Sequence, residues 1–217
     1  MNQNVVQLGG PHRSQLVKRG QRLEYFTIGY NSLEGLIAIV AGLIAGSIAL
    51  VGFGFDSVIE VTSGAVLLWR LRADADEERR ERVESIALRI VGICFLALVV
   101  YVGYDSIKSL IKREPPEESI PGIVLAIASL IIMPLLVRAK RRVARSINSG
   151  AMAADAKQTE LCTYLSAILL GGLLLNALLG WWWADPIAAL VMVPIIAKEG
   201  VEALRGETCC EQGACRD

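Results

Sequence analysis

Apolar residues in this chain fall in long runs rather than in alternation. Residues 25–46, 47–71, 85–111, 119–137, 152–183 and 185–204 are each dominated by Leu, Ile, Val, Ala and Gly. A helix rises about 1.5 Å per residue and the hydrocarbon core of a bilayer is about 30 Å thick, so runs of roughly 20 residues reach across it. The pattern predicts an all-α, polytopic membrane protein with six transmembrane helices. The gaps between runs carry turn signals. Gly46-Ser47 makes a very tight turn, RLRADADEERRER over 70–82 is a mixed-charge connector, and Pro115-Pro116 cannot continue a helix. Asp185-Pro186 opens the sixth helix with proline in its first turn, and Asp185 is expected to cap it.

Basic residues set the orientation. Arg13, Lys18, Arg19 and Arg22 precede the first run, five arginines lie in the second connector, and Arg138, Lys140, Arg141, Arg142 and Arg145 follow the fourth run. The opposite side has only Lys108, Lys112 and Arg113. The positive-inside rule places both termini in the cytoplasm and Trp181-Trp182-Trp183 in the outer aromatic belt. Residues 1–24 then read as a basic cytoplasmic tail with little to pack, 25–204 as the membrane domain and 205–217 as a short Cys-rich cytoplasmic tail. The first 24 residues contain no signal-peptide core, so the first run serves as its own insertion signal.

Inside this greasy pattern, Asp56 and Glu60 stand out. Four residues apart, they share one face of the second helix. Asp56 lies roughly 14 Å and Glu60 roughly 20 Å below the outer surface, near the midplane. An intramembrane carboxylate marks a functional site by default, and two on one stripe ask for a cation. The runs hold no Lys or Arg at that depth, which weighs against a plain ion pair.

The fifth run supplies a second polar cluster, DAKQTELC. Asp155, Gln158 and Cys162 recur at i, i+3 and i+7 and form a stripe, whereas Lys157 and Glu160 point elsewhere. A thiolate beside two carboxylates completes a set suited to zinc or to a softer ion such as cadmium; read alone, Cys162 is equally a small buried hydrophobe. Protons and metal compete for the same donors, so proton exchange is a natural partner of binding. Asp155 reads as a residue at the cytoplasmic mouth, Gln158 as a weaker ligand or as one that orients a ligand. Asn31 and Glu34 either line an inner vestibule or sit among headgroups. Cys209, Cys210 and Cys215 either capture a soft cation or belong to an unstructured tail. Cys94 reads as a buried apolar residue.

Composition narrows the classes. The 217 residues are 53% hydrophobic with a formal net charge of zero, which gives no electrostatic footprint for nucleic acid. No nucleophile–base pair or phosphate loop accompanies the acids, so an enzyme is not expected; Gly52-Phe53-Gly54 is a helix-packing feature.

These residues together resemble the membrane domain of cation diffusion facilitator transporters, which move divalent metals such as zinc, usually against protons. The likeness rests on the acids four apart, on SGAMAADAKQTELCTYLSAILL, and on the opening WADPIAALVMVPII. It implies export of a divalent metal as substrate, zinc first, in a bacterial cytoplasmic membrane. Gln158 and Cys162 stand where the family typically has His and Asp, and Glu60 where Asp is usual. Gln carries no proton, so the family's stoichiometry does not transfer. The family's usual C-terminal cytoplasmic domain is not expected in this chain, and the resemblance then implies a homodimer formed through the spans. The competing expectation is a non-transporting metal-binding receptor or partner subunit on the same fold.

Overall fold

The computed structural model describes residues 10–72, 77–113, 116–147 and 150–205. These form six helices and no strand: α1 (Gly10–Ala45), α2 (Ile48–Arg72), α3 (Glu77–Lys112), α4 (Ile120–Ile147), α5 (Gly150–Leu179) and α6 (Ala184–Arg205). Among the described residues, α1 to α5 each contain a stretch long and apolar enough to cross a membrane. α6 is shorter by that measure, because Asp185 at one end and Lys198, Glu199 and Glu202 at the other trim its apolar stretch.

α1 begins well before the first apolar run. Much of the segment expected to be a tail is helix, and Leu16, Val17 and Leu23 pack against Leu67, Val143, Ala144, Ile147 and Met152. The reason is periodicity: Leu16, Gly20, Leu23, Thr27 and Asn31 continue one inward face through the polar residues. The three tail cysteines lie outside the described residues.

α1, α2, α5 and α4 pack around one another as a ring of four, and α3 and α6 pair alongside, touching α2 and α5. Small residues let the backbones approach. A Cβ on Gly42 would lie 2.8 Å from the Val51 nitrogen, and one on Gly54 2.9 Å from the Ile39 nitrogen. Gly54→Leu is therefore expected to lower stability by about 1–3 kcal/mol, read as an earlier thermal transition in detergent. Between α3 and α6 a Cβ on Gly92 would lie 2.8 Å from the Gly200 carbonyl.

The main core gathers Leu50, Phe53, Leu165, Leu169, Met192 and Ile196. On α4 the outer stripe Ile120, Val124, Ile127, Ile131 and Leu135 is exposed, opposite a buried stripe of Ala126, Ser129, Met133, Leu136 and Lys140. Such apolar outer faces are what lipid requires. Cys94, expected to be buried, lies exposed on α3.

The turns fix how α2 starts. Gly46 takes φ +66°, ending α1 in the left-handed conformation that glycine tolerates. Ser47 Oγ then accepts from the Leu50 amide at 3.1 Å. Asp185 does not serve the helix it opens. Its Oδ2 accepts from the Ile48 and Ala49 amides at 2.9 and 3.4 Å, and its Oδ1 from the Ser47 hydroxyl. A carboxylate from α6 thus caps α2, which sequence spacing alone assigns to the wrong helix.

Candidate metal centre

Asp56 and Glu60 sit one turn apart on the inward face of α2, while Phe55, Val58 and Thr62 take the outward positions. Both acids are buried, at 5% and 1% exposure. Across from them α5 delivers Cys162, which packs beside Met133 and Leu136 of α4. Its Sγ lies 3.0 Å from Asp56 Oδ2 and 2.7 Å from Glu60 Oε2. The structure therefore brings Asp56, Glu60 and Cys162 of the expected ligand set together in the interior of the bundle.

Sγ thus stands within contact distance of both carboxyl groups at once. Bond lengths of about 2.3 Å to sulfur and about 2.0 Å to oxygen put tetrahedral S and O ligands roughly 3.5 Å apart. The donors are closer than that, and among the described residues no three His, Cys, Asp or Glu groups form a ready-made metal cage. Ligand spacing of that kind would need α2 and α5 to part by a fraction of an ångström.

The remaining α5 residues divide differently from the sequence stripe. Thr159, not Gln158, reaches the acids: its hydroxyl donates to Glu60 Oε1 at 2.7 Å. Gln158 is half-buried, makes none of the hydrogen bonds at the centre, and its Nε2 is buried without a partner. At 100° per residue Gln158 and Thr159 lie about 60° and 40° to either side of Asp155, so periodicity cannot choose between them. Lys157 and Glu160 do point elsewhere, to Glu202 of α6 and Arg141 of α4.

Asp155 is not free to face the centre. It pairs with Lys140 of α4, whose ammonium also lies 3.3 Å from Glu24 Oε2 and donates to Thr159 Oγ1 at 3.2 Å. Lys140 and Glu24 are both 0% exposed. This overturns the expectation that no cation stands near the acids: through Thr159 the ammonium is two hydrogen bonds from Glu60. Lys140 hides in the sequence among four arginines. Its signal is that Met133, Leu136, Lys140, Val143 and Ile147 continue the buried stripe of α4.

Asn31 and Glu34 are buried within the bundle. Glu34 Oε2 accepts from Ser57 at 3.0 Å, while its Oε1 and both amide atoms of Asn31 are buried without a hydrogen-bond partner. With Glu24 and Thr27 they make a polar stripe along α1. Glu34, Glu60 and Glu199 are acidic neighbours of Asp56; Glu199, on α6, was not singled out by spacing because it lies among other charges.

A bundle of long apolar helices enclosing carboxylates, a thiol and an ammonium is an integral membrane protein with an ionisable interior. The chain belongs to the cation efflux transmembrane domain family, whose profile matches residues 26–207; this is a family of transporters rather than enzymes. It is similar to an uncharacterised transporter of Synechocystis sp., 26% identical over 75% of this chain and 54% of that protein. The cation-efflux pump FieF of Shewanella oneidensis is 25% identical over 76% of this chain and 58% of its own length. The magnetosome protein MamB of Magnetospira sp. is 26% identical over 82% and 61%. The chain thus spans a little over half to about three-fifths of these relatives.

Proposed function

We propose that this chain exports divalent metal cations from the cytoplasm, with Asp56, Glu60 and Cys162 as the ligands. The observation that carries the reading is the meeting of one thiol with two carboxylates in the interior of the bundle. The cation-efflux pump among its relatives supports the direction. Zinc is the first expected substrate and cadmium the next, because a thiolate favours the softer ions. Gln158 supplies a fourth ligand once its side chain turns inward, and Asp155 stands at the cytoplasmic mouth. Protons and metal compete for the same carboxylate and thiolate donors, which makes exchange of protons for metal the natural cycle, with the helices rocking around the site to open one side at a time. A bacterial cytoplasmic membrane and pairing of two copies through the spans complete the reading.

The test is metal flux in proteoliposomes over a zinc, cadmium, iron and manganese panel. Wild type is expected to move zinc or cadmium at rates well above empty liposomes. Cys162→Asp is expected to shift the cadmium-to-manganese rate ratio by about tenfold or more toward manganese, since a hard oxygen replaces the thiolate. An unchanged ratio would remove Cys162 from the ligand set. Metal bound without flux in wild type would favour a receptor or partner subunit. Detergent-corrected mass of the same preparation reads the oligomer.

A further inference from the structure

The Lys140 ammonium occupies a chamber built by other helices. Glu24 comes from α1 and Asp155 and Thr159 from α5, and Gly64 of α2 lies beside Glu24. The two carboxyl groups lie against each other as well as against the ammonium, and all three side chains are almost fully buried. The second oxygens, Glu24 Oε1 and Asp155 Oδ1, are buried and accept from no N–H or O–H donor. Four carboxyl oxygens and a hydroxyl thus gather around one monovalent cation. A divalent ion in the same place would offset both carboxylates and could use the oxygens that the ammonium does not reach. All five donors are hard oxygens, unlike the thiol-bearing centre.

We propose that Glu24, Asp155 and Thr159 form a second cation site, which Lys140 fills as a tethered ion, and that a divalent metal displaces the ammonium there. The site lies on the side of the bundle where Arg138, Arg141, Arg142 and Arg145 stand. A metal arriving from that side meets this chamber before it meets Asp56, Glu60 and Cys162. Lys140 is suited to the exchange because its ammonium sits on a flexible four-carbon stem that can withdraw toward the end of α4. Thr159 carries the event inward. It accepts from Lys140 and donates to Glu60, so departure of the ammonium frees a lone pair for the ion and loosens the hold on Glu60. The inference rests on the proposed transport only for the order in which an ion meets the two sites.

The test uses manganese as the probe, on the full chain in detergent. At manganese concentrations too low to displace the ammonium in wild type, equilibrium binding should show one additional equivalent per chain in Lys140→Gln, whose site should bind at least tenfold more tightly. It should persist in Lys140→Gln/Asp56→Ala and vanish in Lys140→Gln/Glu24→Gln/Asp155→Asn. No additional equivalent in folded Lys140→Gln overturns the proposal, as does one that survives in the triple variant. A second measurement uses wild type and does not depend on any variant folding. Saturating manganese should raise acylation of Lys140 by an amine-reactive reagent several-fold, read by peptide mass spectrometry, and unchanged or reduced labelling overturns displacement. Absence of flux in proteoliposomes would sink the transport reading and leave both of these results standing.

Discussion

Alanine at Asp56 or at Glu60 is expected to abolish metal-dependent flux in proteoliposomes while the protein still elutes as a folded species. Each substitution removes one of three donors that meet in the interior of the bundle and one of the two negative charges that offset a divalent ion. Residues that merely support a metal ligand are worth about 10–100-fold in affinity, so a lost ligand should exceed that range. The two variants should differ in their effect on the fold. Asp56→Ala removes a buried carboxylate held by one thiol contact, and shedding a costly buried charge is well tolerated. Glu60→Ala also deprives Thr159 of the acceptor at 2.7 Å and is expected to be the less stable of the two. Zinc and cadmium flux at wild-type rates in both variants would rule out the assigned centre.

The largest loss of stability is expected from Asp185→Ala. That side chain accepts from two amides at the start of α2 and from the Ser47 hydroxyl, all in a buried setting. A helix cap is worth about 1 kcal/mol, and hydrogen bonds to a charged group about 1.5–3 kcal/mol each, with incomplete additivity. A total near 3 kcal/mol is expected, with Asp185→Asn recovering part of it through the remaining carbonyl oxygen. Thermal unfolding can be followed by tryptophan emission, since Trp181 and Trp183 stack at 4.9 Å just before α6. Hydrogen exchange distinguishes the helices. Faster exchange at Ile48 and Ala49 is the expected signature, whereas acceleration confined to the first turn of α6 would show that Asp185 serves its own helix.

Much of this architecture was legible from the chain because apolar runs of spanning length allow few alternatives. Asp56 and Glu60 were legible for the same reason: an acid in such a run has nowhere inconspicuous to go. Helical spacing put Cys162 on one stripe with Asp155, but only the family resemblance set it against the acids of the second helix. What spacing could not convey was which side chain on a shared face reaches inward, hence Thr159 in place of Gln158. Nor could it show contacts made across the bundle. Lys140 looked like one more interfacial cation because its neighbours are arginines, yet its partners, Glu24 and Asp155, lie 116 and 15 residues away. Asp185 was recognisable as a cap, but the helix it caps is 137 residues distant in sequence. In both cases local composition gave the chemistry and long-range packing chose the partner.

Because only Gly46 and Ser47 separate α1 from α2, the two helices must leave the translocon as a joined pair. α1 by itself would expose Glu24, Asn31 and Glu34 to lipid, and α2 by itself Asp56 and Glu60, each at a cost of up to about 3 kcal/mol on insertion scales. Folded back on each other, they turn Glu34 toward Ser57 and shield part of both polar stripes, which α4 and α5 then complete. An α1–α2 hairpin is therefore an expected unit of biogenesis. A longer linker at Gly46 would be expected to cause failed insertion of α1 before any effect on ion handling became visible.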